Sequence, residues 1–278
     1  MSPDVALLRR AAEAVARADA LLVGAGAGMG VDSGLPDFRG PEGFWRAYPP
    51  YKKLGLDFSA MANPRWFRQD PAFAWGFYGH RLTLYRTTVP HEGFQVLRRW
   101  SERMKHGAAV FTSNVDGQFQ RAGYDENHIY EVHGSIHHVQ CLAGCGVGIL
   151  PADPYAVDVD PETFRARGTL PTCPRCSGLL RPNILMFGDW DWDEQRSQHQ
   201  EARLGQWLRS VGGARLVVVE CGAGSAIPSV RHFCEMAARN HDGTLIRINV
   251  REPDVPPGGI GLALGALAAL RAIDDAMR

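Results

Sequence analysis

The chain has 278 residues, 45% of them hydrophobic, and its 30 basic and 30 acidic side chains cancel apart from 10 histidines. That length exceeds the roughly 100–200 residues of one ordinary domain and fits one large core with a smaller satellite module. The charge balance excludes a whole-surface field for holding nucleic acid or anionic membrane, and the 31 glycines and 18 prolines fall in discrete clusters rather than repeats.

In chain order, Ser2, Pro3 and Asp4 read as a helix start, and Val5, Leu8, Ala12 and Val15 recur at helical spacing behind them. Ala20 to Val23 is a short apolar run that meets a glycine cluster. Similar buried-strand candidates are Ala108–Thr112, Ile129–Val132, Ile184–Phe187, Arg215–Glu220 and Leu245–Asn249. Helical patterns lie between them at Gly93–Met104, Glu194–Val211 and Ser229–Asn240, with a last one over Ile260–Met277. Short apolar strands alternating with helices predict an α/β fold, a doubly wound parallel sheet covered on both faces. Such sheets bind ligands at the carboxyl ends of their strands.

Two stretches break the alternation. Gly40 to Val89 is rich in aromatic residues and reads as a helical flap or insertion. Gln140 to Pro182 carries four cysteines among Pro, Gly and Asp. The expected division is therefore a sheet domain from 1–39, 90–139 and 183–278, with 40–89 and 140–182 forming a small domain. No stretch reaches the ~20 apolar residues that span a bilayer. Arg9, Arg10, Glu13, Arg17 and Asp19 interrupt any apolar segment near the N-terminus, so a cytoplasmic protein with reduced thiols is expected.

The cysteines carry the first chemistry. Cys141 and Cys145 form one close pair, Cys173 and Cys176 another, each on a turn built from Gly or Pro. Four thiolates at this spacing predict a closed tetrahedral zinc site that holds a loop-rich module with little core of its own. Cys221 and Cys234 lie outside it and read as buried thiols.

The run from Gly24 to Gly40 follows a strand and suits backbone approach to a phosphate. The strict G-x-G-x-x-G register is missing, since Met29 or Val31 occupies its last position, and the Walker lysine is missing too. Glycine content alone leaves a ligand-free strand-to-helix turn equally open. Thr112 to Asp116 and Glu131 to Ser135 put polar residues at two strand ends. His133 has the chemistry of a general base there, although a lone strand-end histidine is more often a structural hydrogen-bonder.

Taken together these segments resemble the sirtuin family of NAD-dependent protein deacylases, from about residue 20 to about 270 and in the family's order. The matching residues are Gly26-Ala27-Gly28, Pro36-Asp37-Phe38-Arg39-Gly40, Thr112-Ser113-Asn114-Val115-Asp116, His133-Gly134 and the four cysteines. Phe187-Gly188-Asp189, a diverged Gly222-Ala223-Gly224 and Ile248-Asn249 follow. The resemblance implies a Rossmann-like domain, a small domain with structural zinc, and a cleft that takes NAD and an acylated lysine of a protein or peptide from opposite sides. Neither nucleic acid nor membrane is implied as a partner.

By the same resemblance, Gly26, Ala27 and Gly28 cradle the phosphates, and Pro36, Asp37, Phe38 and Arg39 cover the nicotinamide ribose. Asn114 and Asp116 orient the carboxamide, Ser113, Gly222, Ala223 and Gly224 complete the nucleotide site, and Asn249 holds the adenine-side ribose. Phe187 and Gly188 face the acyl-lysine, and His133 is the base on a ribose hydroxyl. The implied products are free lysine, nicotinamide and 2′-O-acyl-ADP-ribose. Tyr78 and Arg81 resemble the Tyr-x-x-Arg pair with which some sirtuins hold a succinyl or malonyl carboxylate, and positions i and i+3 share a helix face. From spacing alone, a solvated arginine and a packed tyrosine remain equally open.

The chain departs from the family at Ser113 (usually Gln), Gly30 (often Ser), Asp189 (usually Glu) and the hydroxyl-free Gly222 to Gly224. Two further functions stay open on sequence: an ADP-ribosyltransferase or NAD glycohydrolase, and a non-catalytic module that binds NAD or ADP-ribose.

Overall fold

A computed structural model describes residues 5–37 and 40–278, so the helix start at 2–4 and the Phe38-Arg39 pair lie outside the described residues. The strands are β1 (Ala20–Ala25), β2 (Ala108–Thr112), β3 (Ile129–Glu131), β4 (Gly134–Cys141), β5 (Ile149–Pro151), β6 (Asp158–Val159), β7 (Ala166–Arg167), β8 (Leu180–Ile184), β9 (Leu216–Cys221), β10 (Thr244–Ile248) and β11 (Ile260–Leu262). The helices are α1 (Val5–Arg17), α2 (Gly40–Ala47), α3 (Pro49–Lys53), α4 (Phe58–Met61), α5 (Arg65–Gln69), α6 (Pro71–Thr87), α7 (Glu92–Glu102), α8 (Gln118–Arg121), α9 (Gln195–Ser210), α10 (Ser229–Asn240) and α11 (Ala266–Ala276).

The expected doubly wound sheet is present. Six parallel strands run in the order β11-β10-β9-β1-β2-β3. Alternate side chains of β1 go to opposite faces: Leu21, Val23 and Ala25 pack with α1, α7 and α11, while Ala20 and Leu22 pack with α9 and α10. Both faces are thus dry, which is why the strands read as unbroken apolar runs. The chain builds β2 and β3 on one side of β1 and β9 to β11 on the other. The carboxyl end of β1 is therefore the switch point where connections diverge and leave a crevice.

A second core gathers α2 to α6, the antiparallel sheet β5-β4-β8 and the hairpin β6-β7 around Phe44, Tyr48, Tyr51, Trp75 and Phe77. Helix α6 starts where the Asp70 carboxylate accepts from the Phe73 amide, with Pro71 in the first turn where its missing N–H is harmless. The hairpin lies directly on this helix. A Cβ on Gly76 would stand 1.9 Å from the Phe164 carbonyl oxygen, and one on Gly79 would stand 2.7 Å from Val157.

Two sequence expectations need correction. The strand expected at Ile184–Phe187 is β8, which ends at Ile184 and pairs antiparallel with β4 rather than joining the parallel sheet. The Leu185 amide still donates to the His133 carbonyl next to that ladder, but the Phe187 amide turns away from it and donates to the Ala62 carbonyl. The helix expected from Ile260 begins only at Ala266. Ile260–Leu262 is an edge strand on β10, and the Pro253 carbonyl lies 2.2 Å from where a Gly261 Cβ would be, a packing only glycine allows. Among the described residues, no helix is long and apolar enough to cross a membrane.

Candidate active site

Two glycine turns meet at the switch point. The Gly28 amide donates to the Gly222 carbonyl at 3.1 Å, and the Gly26 amide donates to the Cys221 carbonyl at 3.0 Å. Gly222 sits at φ +65°, where a Cβ would lie 2.3 Å from the Gly28 carbonyl carbon. A Cβ on Gly26 would lie 2.7 Å from the Ala223 Cα. Side chains are excluded here, so bare backbone from β1 and β9 borders the crevice, as a phosphate-bearing ligand requires.

Next to it, the end of β2 is tied down. The Thr112 hydroxyl donates to the Ala25 carbonyl at 3.0 Å and accepts from the Asn114 amide at 3.0 Å. The Asn114 Nδ2 donates to the Gly26 carbonyl at 3.0 Å. Asp116 is buried, and its carboxylate accepts from the Gln118 amide at 2.9 Å. Burial, reinforced by the nearby Glu131, pushes the Asp116 carboxyl up to about 6. His133 follows β3 and is half-buried. Burial lowers its pKa below the usual histidine range, against the opposing influence of the nearby Ser113 backbone. The neutral, proton-accepting imidazole therefore prevails at neutral pH.

One cavity of 430 Å³ joins these groups, a volume within the ~300–1,000 Å³ of small-molecule sites. Its opposite wall is α6. Tyr78, Arg81 and Tyr85 are all buried and all line the cavity. Arg81 donates from Nε and Nη2 to the Tyr85 hydroxyl at 3.0 and 2.9 Å. Its guanidinium lies 5.2–5.8 Å from the ring centres of Phe77, Tyr85, Tyr78 and Phe58. The Tyr78 hydroxyl is buried without a hydrogen-bond partner, and burial pushes its pKa up to about 12. An orphaned buried phenol beside a buried guanidinium is a polar pair that an anionic group would satisfy.

The four cysteines come together beyond the end of β4. Their sulfurs all lie within 4.8 Å of one another, with Cys141–Cys176 and Cys145–Cys173 both at 3.6 Å. A tetrahedron with ~2.3 Å zinc–sulfur bonds has edges of about 3.8 Å, so the donor set and spacing fit structural zinc with no open position. Cys221 and Cys234 are buried elsewhere, as expected.

Of the residues expected at the site, Gly26, Ala27, Pro36, Asp37, Ser113, Asn114, Asp116, His133, Gly222, Ala223, Gly224, Tyr78, Arg81 and Phe187 line the cavity. Gly28 stands behind the lining, bonded to Gly222. Asn249 also stands outside it: its Nδ2 donates to the Ala223 carbonyl at 2.7 Å, and its Oδ1 accepts from the Arg251 and Glu252 amides. Gly188 borders a different groove. Sequence reasoning missed Tyr85, which the i+4 spacing from Arg81 places on the same helix face. It also missed the apolar lining of Leu35, Phe58, Val115 and Met186, which carries no motif.

A model described as the Sir2 family matches residues 26–218. The chain is 33% identical over 192 residues to the NAD-dependent protein deacylase sirtuin-5, mitochondrial, of Danio rerio, covering 64% of this chain and 59% of that protein. It is 32% identical to NAD-dependent protein deacylase 2 of Pyrobaculum aerophilum, covering 84% and 80%. Among solved structures, the complex of a Sir2 homolog with NAD superposes with a TM-score of 0.68 at 25% identity, over 99% of this chain and 95% of that one.

Proposed function

The chain belongs to the Sir2 family, the sirtuins, and from that premise we propose that it is an NAD-dependent protein lysine deacylase with a preference for acidic acyl groups. The observation that carries the proposal is the single cavity walled by bare glycine backbone, Asn114, Asp116 and His133 on one side and by Tyr78, Arg81 and Tyr85 on the other. The glycine turns receive the dinucleotide phosphates. Asn114 and ionised Asp116 hold the carboxamide of nicotinamide, which offers one acceptor and two donors. The acyl oxygen would attack C1′ of the nicotinamide ribose as the glycosidic bond breaks and nicotinamide leaves, and His133 would then take the proton from the ribose 2′-hydroxyl as that oxygen attacks the acyl-imidate carbon. The apolar lining keeps water from the glycosidic carbon, where it would merely hydrolyse NAD. One water, admitted only after nicotinamide has left, would then add as the carbon–nitrogen bond to lysine breaks, so that free lysine, nicotinamide and 2′-O-acyl-ADP-ribose leave.

The acyl preference rests on α6. A succinyl or malonyl carboxylate would accept from Arg81 and from the otherwise unpartnered Tyr78 hydroxyl. An acetyl methyl group leaves both without that anion. The test is mass spectrometry of products from acetyl-, malonyl- and succinyl-lysine peptides incubated with NAD. Nicotinamide should appear only with peptide, and His133→Ala should lower turnover by ~10²-fold or more. Arg81→Met should remove succinyl activity selectively. Equal losses on acetyl and succinyl peptides refute the preference, and nicotinamide release without peptide refutes the deacylase.

A further inference from the structure

Helix α6 carries Arg81 into the cavity on a support that is tied down at both ends. Before Arg81, the Trp75 indole Nε1 donates to the Leu180 carbonyl at 2.9 Å. After it, Arg86 donates from Nη1 to the Tyr155 carbonyl at 2.8 Å and from Nη2 to the Ala152 carbonyl at 2.7 Å. Between these ties the β6-β7 hairpin lies against Gly76 and Gly79, too close for a Cβ on either. The backbone that bears Arg81 is therefore held against sliding along the helix axis.

The side chain is held as well. A guanidinium has two edges that can grip a carboxylate with paired N–H bonds, Nε with Nη2 and Nη1 with Nη2. One acceptor, the Tyr85 hydroxyl, spans the first of these edges, 3.0 Å from Nε and 2.9 Å from Nη2. Tyr85 is itself buried and follows Arg81 on the same helix face. The rings of Phe58, Phe77 and Tyr78 box the guanidinium in, their centres 5.2–5.8 Å away.

We infer that Tyr85 is a positioning residue that sets acyl length. By holding the Nε–Nη2 edge it directs a substrate carboxylate to the Nη1–Nη2 edge alone, at one reach from the reacting amide, so that one length of dicarboxylic acyl chain is favoured over its neighbours. The inference rests on the proposed preference for acidic acyl groups and deepens it. A chain one methylene shorter or longer has to stretch or bend, since neither α6 nor the guanidinium moves to meet it. A methylene more or less in such a pocket is worth about ten-fold or more in kcat/KM. Tyr85→Phe keeps the ring and removes the hydroxyl, which opens the Nε–Nη2 edge and lets a carboxylate be taken at two depths.

The test uses the full chain, NAD and peptides that differ only in a malonyl, succinyl or glutaryl group on one lysine. The parent should favour one length over the next best by about ten-fold or more in kcat/KM, and Tyr85→Phe should shrink that margin to about three-fold or less. Tyr78→Phe is the contrast: it removes a donor to the carboxylate but keeps the Arg81–Tyr85 bonds, so it should raise KM for all three peptides and preserve their order. Heteronuclear NMR reads the same bonds without turnover. The Arg81 Nε–H signal, identified by its loss in Arg81→Met, should keep its position when the favoured peptide is added to the parent and should shift in Tyr85→Phe. A parent with no length preference, a margin that survives Tyr85→Phe, or a peptide that moves the Nε–H signal toward its Tyr85→Phe position overturns the role of Tyr85 while the acidic preference stands. Equal losses on acetyl and acidic acyl peptides in Arg81→Met would instead overturn that preference, and the length selection with it.

Discussion

Replacing Asp116 with asparagine separates what the cavity needs for chemistry from what it costs the fold. The carboxyl is raised from 3.8 to about 6 chiefly by burial. A carboxyl whose folded pKa exceeds its unfolded value withdraws stability as pH rises between the two, and the loss is complete above the folded value. About two units at ~1.4 kcal/mol each amount to about 3 kcal/mol at neutral pH. Asparagine has the same shape, and its Oδ1 can still accept from the Gln118 amide. Asp116→Asn should therefore be more stable than the parent by about 2 kcal/mol at pH 5, widening to about 3 kcal/mol at pH 8. Urea unfolding across that range measures the difference. In the same variant kcat/KM for NAD should fall about ten-fold, because a charge-assisted acceptor for the carboxamide becomes a neutral one. A variant that is less stable at pH 8, or a stability difference that does not vary with pH, would refute the reasoning.

Gly222→Ala should lower stability by about 2–4 kcal/mol, since its Cβ meets the Gly28 backbone and its left-handed φ is strained, and should raise KM for NAD by at least ten-fold; an unchanged KM would detach the two turns from nucleotide binding. Cys173→Ser should abolish stoichiometric zinc, measured by atomic absorption, and lower the thermal midpoint of the variant. Retention of one zinc per chain would show that the four sulfurs are not its ligand set. Acidification should also silence turnover as His133 becomes protonated, with the midpoint below the ordinary histidine value because burial lowers its pKa; a kcat profile with its acid limb above that value would argue against this base.

The parallel sheet was legible because doubly covered strands leave a local signature, an apolar run flanked by polar turns. Ala108–Thr112 and the helix Ser229–Asn240 have the expected bounds. What stayed hidden depends on partners remote in sequence. β8 carries buried Arg181 and Asn183, tolerable only because Asp189 and Gln140 meet them, so its sequence does not look like a core strand. β11 is three residues long with a glycine at its centre and reads as part of the helix behind it. Around the cavity, the residues singled out by local glycine or strand-end context, such as Gly26, Asn114 and His133, share one lining. Tyr85 is not among those residues, because one aromatic among many on α6 is singled out only by its contact with Arg81. Asn249 looked like a ligand-facing amide, yet its hydrogen bonds fasten the Ala223 turn to the loop at 251–252, a role visible only in three dimensions.

The segment after β8 has one more implication. Arg181 and Asp189 form a fully buried ion pair across it, Arg181 also donates to the Ile184 carbonyl, and both the amide and carbonyl of Phe187 are engaged by 62–63. Under the proposed function a substrate polypeptide would meet a wall that these bonds already hold in place, so its association would forfeit little disorder there. Affinity for short, weakly interacting peptides can then come from few contacts, and a loosened variant such as Asp189→Ala would bind the same sequences by slower, entropically opposed docking.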